Sequence, residues 1–147
     1  MGRAAPELLD PARYVFVQDV QTRFSDMDSN QHINNVAIAA AFEDARVRFD
    51  LGHGARALFK NLRMMIVAAG IDYLAEAHYP QPLRIHVGVL AIGRTSWTLG
   101  QLALQDGRAC AYCRATICAT DGKAPTPLPD DLRACLMRGM IRPIAEG

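Results

Sequence analysis

The sequence predicts an α+β domain in which one long helix is covered by an antiparallel sheet. Three observations carry this expectation. A single helix-length segment, Val36 to Leu51, follows an early strand. Four strand-like segments then run in succession from Met64 to Thr120. The last two of these are joined by Asp106-Gly107, a strong signal for a two-residue hairpin turn. A lone helix must be covered and an antiparallel sheet has one face to bury, so wrapping the sheet around the helix satisfies both.

Taken in order, Met1 to Pro11 carries two prolines and little pattern and reads as an irregular lead-in. Tyr14 to Phe24 is rich in Val, Phe and Thr and reads as a strand. Val36 to Leu51 lacks turn formers, with Gly52 and Gly54 behind it as stop signals. Its early alanines, Ala37, Ala39, Ala40 and Ala41, would let a sheet approach closely. Phe42, Ala45 and Phe49 continue an apolar stripe, and Asp44, Arg46 and Arg48 are assigned to the polar face. The later strands are Met64 to Leu74, bent near Gly70, then Leu83 to Ile92, Trp97 to Gln105 and Arg108 to Thr120. A proline-rich stretch, Pro125 to Pro129, leads into a short helix from Asp130 to Met140, with Asp130 as its cap.

The 147 residues suit one domain spanning 1–147, with 50% hydrophobic and 21% charged residues, the balance of a chain that folds. Sixteen basic residues against fifteen acidic ones leave no global attraction to nucleic acid or to an anionic membrane. Cys110 and Cys113 form one C-x-x-C, but no second pair or histidine pair follows at zinc spacing. Residues three apart on a strand face opposite sides, so no metal site and no disulfide is expected. No signal peptide opens the chain and no apolar run approaches the ~20 residues a spanning helix needs. A cytoplasmic protein without membrane association is expected.

The chemistry is concentrated in Ser25 to Asn35. Two Asp, three Asn, a Gln and a His fall within ten residues, between a strand and a nearly apolar helix. Asp and Asn ahead of a helix commonly serve as caps and turn formers, so density rather than residue type is what points to a site. The free N–H groups of the first helical turn, around Asn34, Asn35 and Val36, make a partly positive end suited to an oxyanion. Asp28 is placed to attack a carbonyl or to take a proton from water. Asn30 and His32 are placed to orient that water or the substrate, and a histidine imidazole is of a type that can share in proton transfer.

The run D-x-D-x-N-Q-H-I-N-N (Asp26 to Asn35), followed by A-x-x-x-x-F-E-D-A-R (Ala37 to Arg46), resembles the hotdog-fold thioesterases of the 4-hydroxybenzoyl-CoA thioesterase type. It is closer still to the acyl-acyl-carrier-protein thioesterases. I-D-Y-L-A-E-A (Ile71 to Ala77) and I-G-R-T-S-W-T (Ile92 to Thr98) extend the likeness over most of the chain. The resemblance implies a hotdog fold and hydrolysis of an acyl-CoA or acyl-carrier-protein thioester, as in fatty acid metabolism. It also implies a homodimer or a tetramer of dimers with the site at an interface, and no metal or redox cofactor. Asp28 then falls on the catalytic carboxylate, Asn30 and His32 on its partners, and Glu76 on a helper, while Asp26 becomes structural. The plant carrier-protein branch has a cysteine where this chain has Ala77, so a thiol nucleophile is missing. Ile38 stands where many relatives of the hydroxybenzoyl type have tyrosine.

Another branch of the fold carries its carboxylate on the helix, two turns after the oxyanion donor, which makes Glu43 the rival. A helix-surface or interface glutamate paired with an arginine is the structural alternative for it. Arg63, Arg84, Arg94 and Arg108 are candidates for coenzyme A phosphates. Two other functions fit the same residues: hydration or dehydration of a carrier-bound acyl chain, and non-catalytic binding of an acyl thioester.

Overall fold

The computed structural model describes residues 4–144. Five strands, β1 (Phe16–Val20), β2 (Arg63–Tyr73), β3 (Leu83–Ile92), β4 (Ser96–Gln105) and β5 (Arg108–Thr120), form one sheet in the order β1-β3-β4-β5-β2 with every pair antiparallel. Helix α1 (Asn35–Gly52) lies against β1 and β3, and α2 (Asp130–Arg138) also packs on β3. One long helix held in a curled antiparallel sheet is the hotdog fold.

Period-two alternation on the strands meets a helical stripe in the core. Leu83, Ile85, Val87 and Val89 of β3 all point at the helix, as do Trp97 and Leu99 of β4. Phe42, Ala45 and Phe49 of α1 are fully buried against them. Gln101 shares the inward face of β4, fully buried but satisfied: its Nε2 donates to the Phe42 carbonyl at 2.8 Å. On the outer face Tyr14, Leu102, Leu104 and Tyr112 form a second cluster under the N-terminal segment. The Tyr14 hydroxyl there donates to the Leu8 carbonyl at 2.7 Å, and the Tyr14 and Tyr112 hydroxyls lie 3.1 Å apart. A Cβ at Gly100 would collide with the Tyr112 hydroxyl and the Leu90 side chain, so a larger residue there would displace both side chains.

The expected hairpin at Asp106-Gly107 forms, with φ of +51° and +78° and Gln105 paired to Arg108. Elsewhere the structure revises the expected elements. The strand expected over Tyr14 to Phe24 runs only from Phe16 to Val20, because its partner β3 begins at Leu83 and leaves nothing beyond Val20 to pair with. The lead-in contains two short 3₁₀ turns, Pro6–Leu9 and Pro11–Arg13, instead of irregular chain alone. The irregularity in β2 lies between Ile66 and Ala68, and Gly70 pairs in regular register with Arg114. An inserted residue, not a flexible one, makes the bulge. Arg46 turns inward, four residues from Phe42 on the same helix face, and its Nη1 donates to Gln101 Oε1 at 2.9 Å. Of the early alanines Ala41 is buried while Ala40 is exposed. The N-cap position of α2 is Pro129, not Asp130, and Gly139 stops the helix short of Met140. All four cysteines are free thiols. Among the described residues no helix is long and apolar enough to cross a membrane.

Candidate active site

The segment before α1 is built by its own polar side chains. Asp26 is buried and closes the 3₁₀ turn Phe24–Asp26, accepting from the Arg23 amide at 2.9 Å and from the Arg23 guanidinium at 3.1 Å. The Asp26 carbonyl in turn accepts from the Asn34 amide and from Asn34 Nδ2, at 2.8 and 2.7 Å. Asn34 is the N-cap of α1, with Oδ1 accepting the Ala37 amide at 2.8 Å. Asp26 and Asn34 are thus spent on holding the helix start. The Asn34 N–H, included among the expected oxyanion donors, is taken by Asp26. The N–H groups of Asn35 and Val36 have no acceptor among the described residues and both residues are exposed.

Asp28 to His32 form a closed turn between these two anchors. The Asp28 amide donates to the His32 carbonyl at 2.9 Å, the Gln31 amide returns to the Asp28 carbonyl at 3.0 Å, and Gln31 sits at φ +64°. The Asp28 carboxylate is exposed and accepts with Oδ1 only, from the Asn30 amide at 2.9 Å and the His32 amide at 3.3 Å. Oδ2 has no partner among the described residues. The Asn30 side chain is exposed and likewise unpartnered there.

The chain leaving β2 brings the second half of the site. The Ile33 amide donates to the Ala77 carbonyl at 2.8 Å, which docks residues 76–78 on the motif. Glu76 Oε2 then lies 3.1 Å from His32 Nε2 and 3.9 Å from His78 Nε2, and the two imidazoles meet edge to face at 5.3 Å. Buried Gln105 clamps this segment from β4, accepting from the His78 amide at 2.9 Å and donating to the carbonyls of His78 and Gln81 at 2.8 and 3.0 Å. Arg108 donates to the Glu76 carbonyl at 2.7 Å. The Tyr73 hydroxyl donates to the Asn35 carbonyl at 3.3 Å, beside the two free amides.

Asp28, His32, Glu76 and the amide of Asn35 therefore gather at one end of α1. Glu43 does not join them. It is exposed, eight residues beyond Asn35, which is about 12 Å along the axis at 1.5 Å per residue. The arginine pairing considered for it does not form among the described residues, and it lines a separate cavity beside β2. Of the candidate phosphate ligands, Arg84 is held by Asp19 at 2.9 and 3.2 Å and Arg108 by the Glu76 carbonyl; Arg63 lines the cavity with Glu43. Among the described residues no group of three or more His, Cys, Asp or Glu is placed to hold a metal ion. His78, Gln105 and Tyr73 were missed by sequence reasoning. His78 had a signal, since it lies two residues after Glu76 and so on the same side of an extended chain. Gln105 and Tyr73 had none.

The fold, with polar residues gathered at the start of its helix, defines the class of thioesterase-like hotdog domains. Residues 22–136 match the family model of the Thioesterase-like superfamily, and the chain belongs to that family. It is 31% identical to a predicted thioesterase from Bacillus stearothermophilus, over 87% of this chain and 98% of that one, with a TM-score of 0.78. A thioesterase from Thermus thermophilus, crystallised with coenzyme A and Zn, shares the fold at 23% identity over 90% and 98% of the two chains, with a TM-score of 0.74. The uncharacterized protein YsmA of Bacillus subtilis is 32% identical over 98 residues, 60% of either chain, so the match spans well under the full length of that curated relative.

Proposed function

We propose that this protein hydrolyses an acyl thioester of coenzyme A or of acyl carrier protein at the start of α1. The observation that carries the reading is the pair of uncommitted amides, Asn35 and Val36, next to a carboxylate with one free oxygen and a histidine bonded to Glu76. The substrate carbonyl oxygen would lie on the two amides, whose donors are worth ~3 kcal/mol once that oxygen becomes an oxyanion. Asp28 would take the proton of an attacking water, or itself attack the carbonyl carbon. Collapse of the tetrahedral intermediate would break the C–S bond and expel the thiolate, and His32, paired with Glu76, would return a proton to sulfur. Asn30 would orient the water.

The reading includes a homodimer. β2 is an edge strand of eleven residues, paired with β5 on one side and, among the described residues, bare on the other. Met65, Ile66 and Val67 are 48–59% exposed, and a long apolar edge of this kind is a pairing surface unless it is covered.

The test is a thiol-release screen over acyl-CoA and acyl-carrier-protein thioesters, repeated with Asp28→Asn and Glu43→Gln. Thiol release that disappears in Asp28→Asn and survives in Glu43→Gln is expected. Conversion of hydroxyacyl to enoyl thioesters without thiol release from any chain would instead establish the hydratase reading.

A further inference from the structure

In the proposed reaction His32 must meet a sulfur atom, yet its ring is held by little. Its one polar side-chain tie among the described residues is Glu76 Oε2 at 3.1 Å, on a side chain that is itself 62% exposed. A pairing between exposed side chains contributes little and does not by itself fix a ring. His78 supplies a second contact. Its imidazole meets that of His32 edge to face, with centroids 5.3 Å apart and planes at 85°, an arrangement that aromatic rings prefer. The His78 Nε2 stands 3.9 Å from Glu76 Oε2, beyond hydrogen-bonding distance, so what His78 offers its neighbours is its ring.

Residue 78 is fixed by its backbone. The His78 amide donates to Gln105 Oε1 at 2.9 Å and its carbonyl accepts from Gln105 Nε2 at 2.8 Å, and Gln105 is only 4% exposed on β4. The residues beside the two histidines are tied as well, since the Ile33 amide donates to the Ala77 carbonyl at 2.8 Å. The two rings thus face each other across a bonded backbone. Through His78 the rigidity of a buried strand residue reaches an exposed ring, and only the last contact in this linkage uses the His78 side chain.

We infer that His78 is a positioning residue for the proposed reaction, its ring bracing the His32 imidazole, through which it acts, where a proton can reach sulfur. The kinetic part of this inference rests on the hydrolysis reading, whereas the bracing does not. A brace sets the geometry of the reacting groups and leaves substrate affinity alone, so its loss lowers kcat and spares KM. It also asks of residue 78 only a flat ring. Phenylalanine can supply one, and alanine cannot.

The order of the His32 ring, measured by NMR relaxation on the full-length protein with labelled histidine, is expected to fall in His78→Ala and to hold in His78→Phe. In the thiol-release assay His78→Ala is expected to lower kcat about tenfold with KM within about twofold, and His78→Phe to recover most of that loss. The melting temperature should hold in both, because Gln105 bonds only the backbone of residue 78. In a His32→Ala background, His78→Ala is expected to cost nothing further, since its effect passes through His32. Unchanged order of the His32 ring in His78→Ala overturns the brace whatever the rate does. A His78→Phe protein as slow as His78→Ala also overturns it, by giving the role to the imidazole nitrogens. So does an equal loss in the His32→Ala background, or a rise in KM with kcat intact. Because ring order needs no turnover, a protein whose His32 ring depends on residue 78 yet which releases no thiol from any substrate refutes the proposed hydrolysis alone.

Discussion

At the residue scale, the two halves of α1 treat carboxylates differently. Asp28 sits in water with one oxygen committed to backbone amides and the other open, the condition of a carboxylate that can accept a proton from a neighbouring water. Replacing it by Asn keeps an acceptor for the amides of Asn30 and His32 but removes the proposed base, so under the hydrolysis reading thiol release is expected to fall by at least ~10² with the melting temperature little changed. Glu76→Gln keeps the segment in place, because Ala77 and Gln105 anchor it through the backbone, but takes the charge from between His32 and His78. Slower thiol release in the same assay is expected. Asp50 is the contrasting case, a carboxyl moved by burial from an ordinary value near 3.8 to about 6, against the opposing pull of Arg56 and Arg46. Between pH 4 and 6 the folded protein holds a proton that the unfolded chain has released, so stability falls as pH rises through that window and the full cost remains at pH 7. Asp50→Asn is expected to raise stability at pH 7 by up to about 3 kcal/mol, the gain vanishing below pH 4, as checked by denaturant unfolding at both pH values.

At the element scale, α1 is held in place by its cap and by its stripe. Asn34 satisfies the Ala37 amide and ties the helix start to Asp26, which leaves the amides of Asn35 and Val36 uncommitted at a fixed position. Asn34→Ala is expected to cost about 1 kcal/mol in denaturant unfolding, and to slow thiol release by more than that cost explains, because the donors lose their register with Asp28. Phe42 is fully buried, and Phe42→Ala should cost about 3–5 kcal/mol by the same measurement. These two elements were unequally legible in the sequence. The stripe Phe42, Ala45, Phe49 and the Asp106-Gly107 hairpin were readable because each is a local rule, a 3.6-residue period and a pair of left-handed residues. The inward turn of Arg46 was not, because it depends on how far β4 curls over the helix to present Gln101.

At the scale of the whole molecule, the sheet order leaves β2 with an open edge and an apolar surface. If the proposed homodimer pairs through this edge, Val67→Lys is expected to shift it to monomer in light scattering while leaving the secondary structure, read by circular dichroism, intact. A dimer that persists through this change would place the pairing elsewhere. The sequence by itself determined the α+β class, the extents of α1, β3 and β5 to within a residue, and the polar cluster ahead of the helix, because caps, turns and hydrophobic periods act between residues close in the chain. The family resemblance implies a structural Asp26, but only the tertiary structure decided what each member of that cluster is tied to and which groups are left open. Asp26 and Asn34 bond each other, Asp28 keeps a free oxygen, and Glu76 arrives beside His32 from just past the end of β2, 44 residues further along the chain. Contacts of that kind depend on the strand order and on the curl of the sheet, which place segments distant in the chain side by side.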